Sequence, residues 1–209
     1  MRVFLLQKSV NLQVTNLWIE RGERDLCRDL SFSVRSGELV RIAGENGAGK
    51  SSLIKAILGW VRLEEGELEF NGEDVTLHRD VLLQNQLYLG HTPGIKSVFT
   101  ALENLKLYCP EASEVALEQA LAHVQLQAFA DTPAAQLSAG QKRRIALARL
   151  WLTDKALWFL DEPFTALDVK GVEALELCMG THLKNGGAIV ITTHQPLLHL
   201  SPKTVELTL

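Results

Sequence analysis

Residues 44–51 of this 209-residue chain read Gly-Glu-Asn-Gly-Ala-Gly-Lys-Ser and match the pattern G-x-x-x-x-G-K-[ST], which is typical of polyphosphate binding. The three glycines let the backbone turn sharply and bring its N–H groups close to phosphate oxygens. Lys50 is predicted to reach the β and γ phosphates, and the Ser51 hydroxyl to ligate Mg²⁺. The predicted nucleotide-binding residues are Gly44, Glu45, Asn46, Gly47, Ala48, Gly49, Lys50, Ser51 and Ser52.

Two acidic residues follow a short apolar run. Residues 156–160 are continuously apolar, which predicts a central parallel strand, and Asp161 and Glu162 come directly after them. Asp161 is predicted to hold Mg²⁺ through the water shell of the metal, because magnesium usually keeps several waters. Glu162 is predicted to polarise the water that attacks the γ phosphate. The alternative is that the two acids only cap a turn before Pro163.

The flanking segments supply the elements that would position these residues. Residues 38–43 predict a buried strand before the glycine-rich loop, and residues 51–59 predict a helix that ends at a glycine. Strand, loop and helix N-terminus together form an anion site. Residues 169–183 predict an amphipathic helix, and residues 188–192 a second buried strand that leads to His194.

The other segments divide into a strand-rich part and a helical part. Alternating or apolar patterns predict strands at 12–20 and 30–34, separated by a charged turn at 21–25, and indicate an antiparallel sheet ahead of the loop. Further strands are predicted after the loop, at 67–70 and 87–90. Residues 91–136 are helical in pattern, with a capping box at Thr100 and Glu103 and a second cap at Ser113. We predict one α/β domain, with an ATP-binding core at 1–90 and 137–209 and a helical subdomain at 91–136.

Composition excludes several classes of protein. A net charge of −4 argues against a nucleic-acid surface, which would need a basic excess. Three widely spaced cysteines indicate neither a disulfide framework nor a metal site. The apolar run within residues 1–10 is too short for a signal peptide. No later stretch approaches the roughly 18 apolar residues of a spanning helix. We therefore expect contact with a membrane only through a partner.

Residues 137–141, Leu-Ser-Ala-Gly-Gln, open a predicted helix that runs to about Leu152. They resemble the Leu-Ser-Gly-Gly-Gln signature of the nucleotide-binding domains of ABC transporters, with alanine in place of the first glycine. Residues 165–168, Thr-Ala-Leu-Asp, are similar to the D-loop of that family, and His194 stands where the family has its switch histidine. The likeness covers nearly the whole chain and implies a P-loop NTPase with a mixed sheet core, an antiparallel β region and a helical subdomain.

The resemblance also implies a dimer that encloses two ATP molecules, each with Mg²⁺. Each ATP would be held by the phosphate loop of one chain and the signature of the other, whose helix N-terminus offers N–H groups to a phosphate. The expected contacts from the partner chain are Ser138, Ala139, Gly140 and Gln141. Lys50, Glu162 and His194 are expected to be catalytic, with His194 sensing the γ phosphate and Asp168 coupling the two sites.

Two positions depart from the family pattern. His91 stands where the family has a glutamine, and its ring could still contact the water shell of Mg²⁺. The position that normally stacks on adenine falls on Arg21, whose guanidinium can stack on a base. Trp18, three residues earlier, is the second candidate for that stacking, and it could equally belong to the core.

Further segments resemble the ATPase subunits of bacterial cytochrome c maturation systems, which are haem exporters: residues 90–96, 147–152, 161–166 and 192–197. This implies a homodimer on the cytoplasmic face of the inner membrane, docked to an integral membrane permease subunit. ATP would drive haem export or release of a haem-loaded chaperone. The six histidines lie in separate segments and predict no haem site.

Other functions share the same core motifs. One alternative is a soluble ABC ATPase of iron-sulfur cluster assembly, and another is an importer or exporter ATPase for a different substrate. A DNA-repair ATPase would need a long coiled-coil insertion or a basic face, and the sequence shows neither. A catalytically dead adaptor would have lost Lys50, Asp161 or Glu162, and all three are present.

We also expect the helical subdomain, around residues 96–99, to carry the surface that docks to the membrane subunit.

Overall fold

The computed structural model describes residues 9–22 and 24–207. Residues 1–8, which carry most of the segment that we considered as a signal peptide, therefore lie outside the described part. The strands are β1 (Asn11–Arg21), β2 (Arg24–Arg35), β3 (Leu39–Ala43), β4 (Glu65–Phe70), β5 (Glu73–Asp74), β6 (Gln86–Leu89), β7 (Leu157–Asp161), β8 (Ala188–Thr192) and β9 (Lys203–Glu206). The helices are α1 (Lys50–Ile57), α2 (Asp80–Asn85), α3 (Ala101–Tyr108), α4 (Glu114–His123), α5 (Ala139–Ala148) and α6 (Val169–Lys184).

The strands form two sheets, as the mixed pattern predicted. The antiparallel sheet has the order β2-β1-β4-β5, and the parallel sheet has the order β6-β7-β8-β3-β9. Strand β8 lies between β3 and β7, so the residues that follow these three strands meet at one edge of the sheet. Asp161, the last residue of β7, pairs in register with Thr192, the last residue of β8.

The parallel sheet is covered on both faces. The faces alternate along each strand, so Leu157 and Phe159 of β7 join a core with α1 and the antiparallel sheet. Trp158 and Leu160 join a second core with helices α3 to α6. Every residue of β7 and β8 is buried, which explains why these strands read as continuous apolar runs.

The helical region follows the predicted caps. Thr100 and Glu103 form the capping box at the start of α3, and the Ser113 side chain accepts from the N–H of Ala116 at the start of α4. After α4 the chain makes two short 3₁₀ turns, at Gln127–Phe129 and Ala134–Gln136, before it reaches α5. No helix in the described part of the chain is both long and apolar enough to cross a membrane.

Some boundaries and elements differ from the sequence predictions. Strand β1 ends at Arg21 and β2 begins at Arg24, so both reach into the charged segment that we predicted as a turn. Arg21 pairs with Arg24, and Leu26 and Cys27 of β2 enter the first core. Three elements were not predicted, namely β5, α2 and β9. Strand β5 has two residues, α2 buries only Leu82, and β9 is an edge strand of mostly exposed residues, so none carries a clear hydrophobic period.

Candidate functional site

The glycine-rich loop connects β3 directly to α1. Gly44, Gly47 and Gly49 have φ values of 147°, 84° and 95°, in the region that side chains disfavour. A Cβ atom at Gly49 would lie 3.0 Å from the Cβ of Leu26, so a side chain there would crowd the neighbouring strand. Gly49 is also the N-cap of α1, which aims the free N–H groups of the helix at the space in front of the loop.

The amine of Lys50 lies inside the curve of this loop. It donates to the carbonyl oxygens of Gly44 at 2.8 Å and Glu45 at 2.9 Å, and its third contact is Nε2 of His194 at 3.2 Å. An ammonium has three hydrogens and no lone pair, so Lys50 can only donate in this contact, and the tautomer of His194 sets the role of Nε2. The structure thus brings two predicted catalytic residues into direct contact.

The two acids lie at the neighbouring strand end. Asp161 is only 2% exposed, and its Oδ1 accepts from the Thr192 hydroxyl at 2.7 Å. Oε1 of Glu162 is buried, has no hydrogen-bond partner among the described residues, and lies 3.7 Å from Nε2 of His194. A buried carboxylate oxygen without a donor is costly, so its place in this cleft indicates a group that a ligand or water completes.

The backbone at Glu162 is held from two sides. Its φ of 50° lies in the left-handed region, which is uncommon for a residue with a side chain. Its N–H donates to the carbonyl and the hydroxyl of Thr192, both at 3.0 Å. The guanidinium of Arg143 donates to the carbonyl oxygens of Asp161 at 2.7 Å and Glu162 at 3.0 Å.

Arg143 connects the helix α5 to these strand ends. Besides the backbone carbonyl oxygens of Asp161 and Glu162, Arg143 donates to the carbonyl oxygen of Gly90 and, at 3.4 Å, to that of His91. Burial lowers the pKa of its guanidinium, and the charge of Asp161 opposes this shift. One side chain therefore satisfies carbonyl groups after β6 and at the end of β7.

A cavity of about 290 Å³ opens between these groups. It brings together ten of the predicted site residues and one unpredicted residue, Leu26. Its lining residues are Arg21, Leu26, Asn46, Gly47, Gly49, Lys50, Ser51, Ser52, Asp161, Glu162 and His194. Three other predicted loop residues, Gly44, Glu45 and Ala48, line an adjoining cavity on the side of β9.

The two candidates for adenine stacking, Arg21 and Trp18, have different surroundings in the structure. Arg21 lines the cavity, whereas the Trp18 ring is engaged elsewhere: its Nε1 donates to Asp25 at 2.5 Å, and the Arg28 guanidinium lies 4.3 Å from the ring centroid. Trp18 is half-buried on the face of β1 opposite to the core residues Leu17 and Ile19.

His91 is exposed and lies outside the lining of the cavity. Its contact with the site runs through its backbone carbonyl, which accepts from Arg143. The structure therefore does not bring its imidazole to Ser51 and Asp161, and a role of His91 at Mg²⁺ stays a prediction.

The signature residues form a separate surface. Ser138 is the N-cap of α5, where its hydroxyl accepts from Gln141 N–H at 3.1 Å and the Gln141 side chain accepts from Ser138 N–H at 2.8 Å. Ser138 and Ala139 are exposed, and the four signature residues lie outside the lining of the phosphate cavity. Their helix N-terminus is thus exposed and lies apart from the phosphate cavity of the same chain.

Asp168 lies next to this surface. It caps α6 by accepting from Gly171 N–H at 2.8 Å, and Gln125 Nε2 lies 3.4 Å from the same oxygen. A Cβ atom at Gly140 would lie 3.4 Å from the Cβ of Ala166, so the signature and the D-loop segment pack side by side.

Besides Leu26, two residues of the site were not predicted from the sequence, Thr192 and Arg143. Thr192 stands inside an apolar strand and Arg143 inside a helix rich in basic residues, so neither forms a pattern with the motif residues. The one available signal was register: parallel neighbouring strands place the residue at the end of β8 beside the one at the end of β7.

A glycine loop between a strand and a helix, with an acidic pair at the end of a nearby parallel strand, defines a P-loop nucleotide-binding domain. The sequence matches the family described as ABC transporter over residues 27–165. The cytochrome c biogenesis ATP-binding export protein CcmA of Salmonella typhi is 50% identical over 186 residues, which cover 89% of this chain and 90% of that protein. The CcmA protein of Escherichia coli K12 is 49% identical with the same coverage.

The chain therefore belongs to the ABC transporter family, among its cytochrome c biogenesis ATP-binding export proteins. It is an ATP-binding, ATP-hydrolysing subunit, and the resemblance and fold class predicted from the sequence are confirmed.

Solved structures agree at the level of the fold. A structure of the ATP-binding subunit of an ABC transporter superposes with a TM-score of 0.77 at 28% identity, covering 88% of this chain and 79% of that one. An ATP-binding cassette solved as a dimer with ADP and Pi, in a post-hydrolysis state, superposes with a TM-score of 0.76 at 24% identity, covering 88% of each chain.

Proposed function

We propose that this chain powers haem export, or release of a haem-loaded chaperone, in bacterial cytochrome c maturation, as the ATPase subunit of a membrane complex. The observation that carries its ATPase part is the meeting of Lys50, Glu162 and His194 around one cavity in front of the phosphate loop. The haem assignment is supported by the half-identical cytochrome c biogenesis relatives.

ATP would enter with its phosphates against the loop and the N-terminus of α1. The loop glycines leave room for the phosphates, and the N–H groups of the helix start face them. Lys50 would then exchange its loop carbonyl partners for β and γ phosphate oxygens. Arg21 lines the same cavity, and its guanidinium is the better placed of the two candidates for stacking on adenine.

The donor set at the cavity also fits Mg²⁺. Ser51 offers a hydroxyl and Asp161 a carboxylate, which are the hard oxygen ligands that this ion prefers, and both line the cavity. The ion, when bound with ATP, supplies neutralisation of phosphate charge. The Thr192 hydroxyl fixes one oxygen of Asp161, so the carboxylate is oriented before any ligand arrives.

Hydrolysis requires an activated water. Glu162 would take a proton from the water as its oxygen forms a bond to the γ phosphorus, and the bond from that phosphorus to the β–γ bridging oxygen breaks, leaving ADP and phosphate. Nε2 of His194 lies between the Lys50 amine and the Glu162 carboxylate, at 3.2 and 3.7 Å. These distances support a role in which His194 would contact the γ phosphate next to both groups.

Two copies of the chain would complete the site. The N-terminus of α5 is exposed and lies outside the phosphate cavity of its own chain, so Ser138, Ala139, Gly140 and Gln141 would meet the γ phosphate held by a second copy. Loss of that phosphate would remove the contact and open the dimer. Ala166 of the D-loop segment packs beside the signature segment, and Asp168, two residues further on, would couple the two sites.

The membrane partner would dock on the helical subdomain. We propose one domain of residues 1–209, with residues 91–136 as the subdomain between two segments of the ATP core. Val98 is 84% exposed and Phe99 is 38% exposed, so the segment 96–99 offers an apolar contact to an integral membrane permease subunit. The chain would then lie peripherally on the cytoplasmic face of the inner membrane.

The test is isolation of the native complex in mild detergent with identification of the proteins and pigment that accompany the chain. We expect an integral membrane subunit and haem that is released or transferred when ATP is added. Co-isolation with soluble scaffold proteins of iron-sulfur assembly would instead support the alternative. Substitutions at Val98 and Phe99 should reduce recovery with the membrane subunit without weakening ATP binding.

A further inference from the structure

Thr192 touches both acidic residues of the site through one hydroxyl group. Its Oγ1 donates to Oδ1 of Asp161 at 2.7 Å and accepts from the N–H of Glu162 at 3.0 Å. The residue is fully buried, at 0% exposure, and lies at the last register position of β8, beside Asp161. Its rotamer is therefore fixed by the sheet around it.

The peptide between the acids needs such support. Glu162 has a φ of 50°, which an L-residue with a side chain adopts only where its surroundings compensate. The N–H of Glu162 donates to the carbonyl and hydroxyl oxygens of Thr192, and the carbonyl of Glu162 accepts from the guanidinium of Arg143. The direction of the Glu162 side chain thus depends on contacts at both ends of its own backbone.

The hydroxyl of Thr192 also sets the geometry between the two acids. A threonine side chain in a buried strand has little freedom about χ1, so the two hydrogen bonds share one fixed oxygen. Movement of that oxygen would displace the Asp161 carboxylate and the Glu162 backbone together.

We propose that Thr192 is a positioning residue for ATP hydrolysis, which holds the metal-binding acid and the general base in a fixed relation. This inference rests on the function proposed above. Thr192 itself need not touch ATP, since it acts through Asp161 and Glu162.

The first test compares Thr192→Val, which keeps the shape and removes the hydroxyl, with Thr192→Ser, which keeps the hydroxyl. Because misplacement of a catalytic group by about 1 Å can cost about a hundredfold, we expect kcat to fall about tenfold to a hundredfold in Thr192→Val, with KM for ATP within about twofold. Thr192→Ser should restore most of kcat. Thr181→Val, which removes an exposed hydroxyl on α6, is the matched control and should behave as the unmodified chain.

A second test separates positioning from general damage. In a Glu162→Gln background, Thr192→Val should lower the residual rate by less than about threefold, because most of its effect passes through Glu162. In the same background, calorimetric titration with ATP should give an unchanged affinity without Mg²⁺, and the gain in affinity when Mg²⁺ is added should fall by no more than about twofold. Thermal melting confirms that each variant is folded, and Thr192→Ala replaces Thr192→Val if the latter does not fold.

An unchanged kcat in Thr192→Val, or a loss that Thr192→Ser does not restore, would overturn the inference. An equal loss in the presence and absence of Glu162 would overturn it as well. Failure of the proposed function looks different: Glu162→Gln alone would then hydrolyse ATP as fast as the unmodified chain.

Discussion

The amine of Lys50 lies 3.2 Å from Nε2 of His194, although 144 residues separate them along the chain. The contact forms because β8 lies between β3 and β7, so the segment that follows β8 reaches the phosphate loop. Lys50 has its remaining two contacts on loop carbonyl oxygens. The lysine is therefore held in place before a nucleotide arrives, and phosphate oxygens must replace partners that it already has.

Lys50→Ala is expected to weaken nucleotide binding itself. A hydrogen bond to a charged group contributes about 1.5–3 kcal/mol, so the dissociation constant for ATP should rise about 10- to 100-fold. Lys55→Ala is the control, because that residue is exposed on the same helix. Titration of each variant with ATP measures the effect, and equal affinities for the two variants would contradict the role of Lys50.

Glu162→Gln is expected to separate binding from chemistry. The amide keeps the shape of the side chain but cannot take the proton of the water, so kcat should fall about 10²- to 10⁴-fold while ATP still binds. Glu173→Gln, an exposed change on α6, provides the control. Single-turnover measurements and nucleotide titration report the two properties separately, and an undiminished turnover would remove Glu162 from the role of base.

The exposed signature surface predicts complementation between two inactive chains. Lys50→Ala impairs the phosphate loop and leaves the signature intact, whereas Ser138→Glu places a negative charge where a γ phosphate would bind. Each variant alone should be nearly inactive, but a mixture should regain part of the ATPase activity, since one composite site in a mixed dimer is complete. Activity that is absent from every mixture would argue against a site shared by two chains.

Substitution of Gly66, which lies away from the site, is expected to lower the free energy of unfolding strongly. Its φ is 106°, and an added Cβ would lie 2.7 Å from the carbonyl oxygen of Asn16 and 2.7 Å from the Cα of Leu17. Gly72, with a φ of 87° and nothing within 4 Å of such a Cβ, shares the strain without the clash. Gly72→Ala should lower the free energy of unfolding by about 1–2 kcal/mol, and Gly66→Ala by a further 1–3 kcal/mol or so.

Urea denaturation of both variants measures these losses. Equal losses for Gly66→Ala and Gly72→Ala would show that the backbone of β1 can move away, and that the close approach is not a constraint.

The thiol of Cys178 is expected to make the free energy of unfolding depend on pH in the alkaline range. Burial raises the pKa of its thiol from 9.0 to about 12. The unfolded thiol loses its proton near pH 9.0, while the folded one keeps it to about pH 12. Between pH 9.0 and about pH 12 the unfolded state therefore binds fewer protons than the folded state. The contribution of Cys178 to the free energy of unfolding falls as the pH rises through this range.

Alkylation with iodoacetamide at pH 8.5 tests this directly. Since the thiolate reacts, Cys178 should be modified at least about 100-fold more slowly in the folded chain than in urea. Cys178→Ser removes the thiol and should flatten that part of the alkaline stability profile. Rapid modification of the folded chain would contradict the burial of this side chain.

The motifs fixed by local backbone chemistry could be predicted from the sequence. The phosphate loop, the acids at the end of β7 and the caps at Thr100 and Ser113 all depend on residues a few positions apart, and the structure contains each of them. The buried strands β7 and β8 were also predicted within one residue, because a strand covered on both faces needs an unbroken apolar run.

Contacts between distant segments could not be predicted in the same way. Arg143 looks like any basic residue of a helix, and its four carbonyl partners come from the ends of β6 and β7. The position of Trp18 depends on Arg28 and Asp25, which become its neighbours only when β1 and β2 pair. Such relations depend on tertiary geometry, which residue spacing does not encode.

Strand β7 belongs to two hydrophobic cores at once. Leu157 and Phe159 pack towards the antiparallel sheet, and Trp158 and Leu160 pack towards the helices. The acids at its carboxyl end are thereby anchored where the two halves of the interior join. A substitution that alters the packing of either core would therefore act through this one strand on Asp161 and Glu162.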